Sequence, residues 1–316
     1  MNILEIKNLN LGFSTDNGFY QALFDVSFSL EKGHTLAIVG ESGCGKSVTA
    51  MSILNLLPKN AKIISGDILY NGESVRELSE QDYREIRGKK IALIPQDPMT
   101  SLNPLFTIGD QLLEVIKIHQ KLDGKDAERR AIEALDAVQI PSAKERFKSY
   151  PHEFSGGMKQ RAIIAMALAC NAEILIADEP TTALDVTIQA QIMELINNIK
   201  RERDMSVILI THDLALVREN SDKICVMYCG HIVEEGDTRE FFDGPLHPYS
   251  KALLKSLPTV RGISLETIKG QPPSITQIIQ GCKFHPRCKD STNVCTQEIP
   301  SLKNVGNSRL CACHLC

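Results

Sequence analysis

The densest chemistry in the chain lies in Gly40-Glu41-Ser42-Gly43-Cys44-Gly45-Lys46-Ser47, which follows the apolar run His34–Val39 and leads into Val48. Glycines at this spacing let consecutive backbone N–H groups turn inward around phosphate oxygens. Lys46 reaches the terminal phosphates, Ser47 can ligate Mg²⁺, and a following helix adds its N-terminal dipole. A second element, Ile174-Leu175-Ile176-Ala177, ends in Asp178-Glu179. An apolar run of this kind reads as a buried parallel strand whose carboxyl end faces a ligand crevice. Asp178 is placed to hold Mg²⁺ through water and Glu179 to polarise an attacking water, because phosphoryl transfer depends on positioning and charge stabilisation. Between them, Ser155-Gly156-Gly157 precedes the apolar stretch Ala162–Ala169. Ser155 is a helix cap, and the glycine N–H groups are free to approach an anion closely.

These residues need a scaffold of strands and helices. His34–Val39, the phosphate loop and Val48–Leu57 read as strand, loop and helix. Met1–Asn10 alternates apolar and polar residues and reads as a strand rather than a secretion signal. Ile108–Lys121 and Lys125–Val138 carry apolar residues at 3–4 spacing with Gly124 between them, so residues from about 100 to 170 read as a helical insertion. With 316 residues the chain is long enough for one large domain or two unequal ones. Its 35 Lys plus Arg against 39 Asp plus Glu give a net charge of −4 with no block of like charge, which argues against a nucleic-acid partner. The longest apolar run, Ala162–Cys170, is far short of a membrane span, which places the expected location in the cytoplasm.

The motifs, taken in order, resemble the nucleotide-binding subunit of an ABC transporter. They are the Walker A loop Gly40–Ser47, the Q-loop Ile94-Pro95-Gln96-Asp97-Pro98, the signature Ser155-Gly156-Gly157, the Walker B pair Asp178/Glu179, the D-loop Ala183-Leu184-Asp185 and the switch Leu209-Ile210-Thr211-His212-Asp213. The resemblance covers residues 1 to about 240. It implies an α/β fold with a RecA-like core, an antiparallel β subdomain and a helical signature subdomain. It also implies that two cassettes pair head to tail, with Ser155, Gly156, Gly157 and Asp185 meeting the ATP held by the partner's phosphate loop. Gln96 would sense Mg²⁺ and the γ-phosphate, and His212 would organise water with Glu179. An aromatic near the N-terminus would stack on adenine: Phe13 best matches the family position, with Phe19 or Tyr20 as alternatives because Gly12–Tyr20 reads as an insertion. Met99–Pro104 would border the groove that receives a membrane subunit.

Finer wording points to a class. Phe154–Arg161, Ala177–Gln189 and above all Pro245-Leu246-His247-Pro248-Tyr249 resemble importers of dipeptides and oligopeptides, and Met158 resembles the first of that class's two ATPase subunits. Physics alone reads His247–Tyr249 as a proline turn leading into a helix. The implied partners are a related second ATPase, two membrane permease subunits and, indirectly, an extracytoplasmic substrate-binding protein, with the chain peripheral on the cytoplasmic face. Nickel and some sugar importers share the wording. The long coiled-coil insertions of soluble repair ATPases do not occur here.

The last 58 residues differ in composition. They hold six of the ten cysteines, with seven Lys/Arg against three Asp/Glu, or +4, leaving −8 for the rest. This suggests a cassette over 1–258 and an extension over 259–316. Cys282, Cys288, Cys295 and Cys313 resemble the cluster-binding tail of peptide-importer ATPases. Four thiolates suit a [4Fe–4S] cluster or zinc, and the wide spacing disfavours zinc knuckles. Cys311 and Cys316 leave the fourth ligand open.

Overall fold

The computed structural model describes residues 1–182, 184–256, 268–277, 279–306 and 308–316, without the side chains of Pro98 and Met99. The expected boundary at 258/259, Ala183 of the D-loop and the Met99 side chain therefore lie outside the described residues. The chain divides into two compact units, one of residues 1–77 with 209–316, the other of residues 78–208.

The first unit begins with a long hairpin. Asn2–Thr15 pairs antiparallel with Gly18–Glu31 on one side and Ala61–Tyr70 on the other, with Glu73–Ser74 at the edge. Leu4 and Ile6 face the core with period two. The next apolar pair, Leu9 and Leu11, is out of phase, and the register shift between Ile6 and Leu9 restores it, with Asn8 at φ 48°. The suspected insertion at Gly12–Tyr20 is the far end of this hairpin, where Thr15 faces Gly18.

A second sheet in the same unit places Thr35–Val39 parallel to Lys223–Tyr228, which turns back into antiparallel His231–Asp237. The two-residue turn between them has Cys229 at φ 45° and Gly230 at φ 78°, the left-handed pair that a tight hairpin with right-handed strand twist requires. Leu310–Cys311 then pairs with His231–Asp237, and Lys303–Asn304 with Leu310–Cys311, so the cysteine-rich tail supplies strands to this sheet. Tail residue Phe284 is buried in one apolar cluster with Ala37, Val39, Val226, Tyr228 and Tyr249, and Cys282 and Cys288 pack against it.

In the second unit Ile91–Ile94 pairs in parallel with Ile174–Asp178. The expected helical insertion is present as Ile108–Gln120, Gly124–Ala137 and Gly156–Leu168, packed on one another. Ile108–Gln120 starts in a capping box in which Thr107 and Asp110 satisfy each other's backbone N–H groups. Strand Ser206–Thr211, buried throughout, straddles the division between the units.

Candidate nucleotide-binding site

In the first unit the phosphate loop joins Thr35–Val39 to helix Lys46–Ile53. Gly40 has φ +155°, and a Cβ there would lie 2.2 Å from the carbonyl oxygen of Met227, so only glycine fits. The Lys46 ammonium, 5% exposed, folds over the loop and donates to the carbonyl oxygens of Gly40 at 2.8 Å and Glu41 at 3.1 Å. These are the neutral acceptors that phosphate oxygens would replace. Ser47 and Val48 are half-buried in the first turn of the helix, whose N-cap, Gly45, has no side chain to occupy the anion position. Ser42 and Gly43 form the exposed crest, and burial pushes the Cys44 thiol up despite the nearby Lys46.

Glu41 is held at three points. Its N–H donates to the Tyr249 hydroxyl at 2.9 Å, its C=O accepts from Lys46, and its carboxylate accepts two bonds from Arg287, at 2.6 and 2.9 Å. Tyr249 belongs to the Pro-Leu-His-Pro-Tyr segment. That segment is indeed a proline-started helix: His247 caps Pro248–Lys255 by accepting the Tyr249 N–H on Nδ1 at 3.0 Å. Burial, followed by the Lys251 charge, pushes the His247 pKa down to about 4, which keeps that nitrogen a lone-pair acceptor. The Glu234 carboxylate secures the turn by accepting the N–H groups of Leu246 and His247, each at 2.9 Å.

His212 follows strand Ser206–Thr211 and is exposed. The turn that carries it is fixed by Asp213, which donates its N–H to Thr211 Oγ1 at 3.0 Å and caps helix Leu214–Asn220. Phe13 stands opposite Tyr20 and Ala61 in the hairpin, half-buried, and Phe19 is largely exposed nearby.

In the second unit Asp178 is buried at the end of its strand. Glu179 takes φ 47°, a left-handed conformation unusual for a glutamate, held by surrounding bonds. Its Oε2 accepts from Gln96 Nε2 at 3.2 Å and Thr182 Oγ1 at 2.9 Å. Ser155 caps Gly156–Leu168 by accepting the Met158 N–H at 3.3 Å, and a Cβ on Gly157 would lie 3.0 Å from Ile188 Cγ2, while Gly156 has room. Buried Gln160 donates to the Pro180 carbonyl at 2.6 Å, tying this helix to the turn after Glu179. Asp185 caps Val186–Arg203 by accepting the Ile188 N–H at 2.9 Å.

Sequence reading missed Thr182, Gln160, Tyr249 and Arg287. Thr182 reaches Glu179 only three residues away, whereas Gln160, Tyr249 and Arg287 act on partners brought near only by the fold.

Among the described residues no group of three or more His, Cys, Asp or Glu side chains is arranged to hold a metal ion, so the placement of Cys282, Cys288, Cys295 and Cys313 lends the expected cluster no support. Their sulfurs are placed by ordinary packing and hydrogen bonds. Cys295 Sγ lies 3.3 Å from Thr292 Oγ1, Cys313 Sγ accepts from the Leu315 N–H at 3.5 Å, and Cys311 and Cys316 face each other at 3.0 Å. Burial first, and then the Asp290 charge ahead of Cys282 and Cys295, raises Cys288, and burial with smaller contributions from Cys316 and Cys282 pushes Cys313 up to about 11.

A glycine phosphate loop between strand Thr35–Val39 and helix Lys46–Ile53 defines the P-loop nucleotide-binding class. The "ABC transporter" family matches residues 23–182, and "Oligopeptide/dipeptide transporter, C-terminal region" matches residues 233–295. The oligopeptide transport ATP-binding protein OppD of Escherichia coli strain K12 is 47% identical over 313 residues, covering 98% of this chain and 92% of that protein. The dipeptide transport ATP-binding protein DppD of Bacillus subtilis strain 168 is 49% identical over 316 residues, covering 99% and 94%. A dimeric ATP-binding cassette solved in a post-hydrolysis state with ADP and phosphate superposes with a TM-score of 0.67 at 28% identity, over 75% of this chain and 99% of that one. The chain belongs to the ABC transporter family, as an ATP-binding protein of its oligopeptide/dipeptide importer class. As a member it is an ATPase.

Proposed function

We propose that this chain hydrolyses ATP to drive uptake of dipeptides or oligopeptides through two membrane permease subunits, paired head to tail with a related ATPase on the cytoplasmic face. The observation that carries the reading is the Gln96–Glu179 hydrogen bond, which joins a loop suited to sensing a membrane subunit to the carboxylate suited to orienting water. Among the described residues no helix is long and apolar enough to cross a membrane, consistent with a peripheral subunit.

In this reading Lys46 leaves the Gly40 and Glu41 carbonyls for the β- and γ-phosphates, and the loop N–H groups from Gly43 to Val48 cradle them. Ser47, Gln96 and, through water, Asp178 would hold Mg²⁺, which neutralises the charge developing on the phosphates. Glu179 accepts the hydrogen bond of the attacking water, and His212 contacts the γ-phosphate. Phe13 stacks on adenine. Ser155, Gly156, Gly157 and Asp185 serve the ATP bound by the partner. Closure on ATP and opening after hydrolysis is a ligand-linked population shift.

The split into a cassette over 1–258 and an extension over 259–316 belongs to the same proposal. The [4Fe–4S] reading of that extension is supported by the spacing of Cys282, Cys288, Cys295 and Cys313 alone, with a structural role only. Anaerobically purified protein should hold iron and acid-labile sulfide in equal amounts, about four of each, and Cys288→Ser should lose both. Colourless protein with neither removes the cluster.

The transport reading is tested by reconstituting the assembled complex in vesicles and measuring ATP-dependent uptake of a labelled dipeptide and of ⁶³Ni²⁺. Peptide uptake abolished by Lys46→Ala supports it. Nickel uptake alone, or ATP turnover indifferent to any permease, overturns it.

A further inference from the structure

The tail reaches the phosphate loop through one side chain. Arg287 lies between Cys282 and Cys288, far from Glu41 in sequence, yet its side chain is only 6% exposed and packed against the loop. It makes five hydrogen bonds, as many as a guanidinium has N–H groups. The terminal nitrogens donate to Glu41 Oε2 at 2.6 Å and Oε1 at 2.9 Å, to the Tyr228 hydroxyl at 3.3 Å and to the Gly270 carbonyl at 3.2 Å, and Nε donates to the Lys269 carbonyl at 3.0 Å. The paired Glu41 carboxylate is three-quarters buried.

A carboxylate at this point would be an obstacle to nucleotide. Glu41 is part of the loop that must surround phosphates, and a second negative charge within a few ångströms in partly buried surroundings repels them. The bidentate Arg287 cation offsets that charge and fixes the direction of the carboxylate. Tyr249 holds the N–H of the same residue, so both supports come from the C-terminal part of the chain. We propose that Arg287 is a positioning residue for ATP binding: it neutralises Glu41 and holds the phosphate loop in its open, anion-ready shape, and through it the cysteine-rich tail is energetically coupled to the nucleotide. By reciprocity, bound ATP steadies the tail as much as the tail favours ATP.

The inference rests on ATP occupying the Lys46 loop, and the test separates the two ideas. In the assembled complex Arg287→Met should raise the KM for ATP about tenfold while kcat stays within about twofold, the pattern of lost ground-state binding. Adding Glu41→Gln to Arg287→Met should recover most of the affinity, because the unpaired charge is gone. That rescue has no counterpart if Arg287 merely stabilises the fold. Arg287→Lys, which keeps the charge without the fork, should raise KM about threefold. If Arg287→Met does not fold, Arg287→Lys decides the matter in the same assay. An unchanged KM in the folded variants, a loss in kcat alone, or no recovery in the double variant overturns the proposal. Nucleotide binding that survives Lys46→Ala overturns the ATP-site reading itself.

Discussion

The amide of Gln96 donates to the carboxylate of Glu179 across 3.2 Å, and the hydroxyl of Thr182 shares the same oxygen. A glutamate with a left-handed backbone and a doubly engaged Oε2 is held in one orientation before any water arrives. Pre-aimed acceptors need no reorganisation at the moment of reaction.

Glu179→Gln keeps this shape and removes the charge. ATP turnover in the assembled complex should fall by about 100-fold or more, with ATP binding retained and the closed dimer accumulating. Turnover near wild type would reassign the water-orienting group.

Ser155→Arg puts a long cation where the partner's nucleotide must approach and removes a helix cap, at a cost of about 1 kcal/mol. Binding of a fluorescent ATP analogue to the full chain alone should persist, while hydrolysis by the complex drops. Loss of binding in the isolated chain would place Ser155 at its own nucleotide.

Tyr249→Phe deletes the acceptor of the Glu41 N–H. An orphaned, partly buried donor costs about 1–3 kcal/mol, so the urea midpoint should fall with the transition slope unchanged. A midpoint equal to wild type would show that water replaces the hydroxyl.

His247 gives a pH signature. Its pKa falls from 6.5 to about 4 in the folded chain, so the unfolded chain binds the extra proton first. The stability from neutral His247 is complete above pH 6.5 and lost as pH falls toward 4, on the order of 3 kcal/mol in all. Buried His231, also pushed down to about 4, adds a similar slope. His247→Asn keeps a capping acceptor and cannot protonate, so its urea midpoint should decline less than wild type between pH 6.5 and 4. Parallel declines would assign the loss to other groups.

Much of the site was legible because phosphate chemistry demands particular residues at fixed short spacing: Gly40 to Ser47, Ser155 with its glycines, and Asp178 with Glu179 each lie within one local element. Boundaries were less so. The helix expected over Val48–Leu57 starts at Lys46 and stops at Ile53, with Asn55 just beyond at φ 50°. A left-handed residue is a backbone event that an apolar pattern does not encode. Arg287 and Glu41 were illegible for a different reason: their attraction depends on the fold bringing distant segments together, and either residue alone reads as a solvated charge. The cysteine spacing was visible, but where the sulfurs sit is set by packing, Cys282 and Cys288 against the cluster around Phe284.

The first unit is assembled from the two ends of the described chain, whereas residues 78–208 form one continuous stretch. During synthesis, strand Thr35–Val39 emerges well before Lys223–Tyr228, the parallel neighbour against which it packs; at ribosomal speeds the delay is roughly 10–40 s. That interval spans the synthesis of the whole intervening unit. Until its neighbour arrives, the strand that ends in the phosphate loop is an apolar segment with an open edge, so the nascent chain is exposed to aggregation throughout the synthesis of the intervening unit.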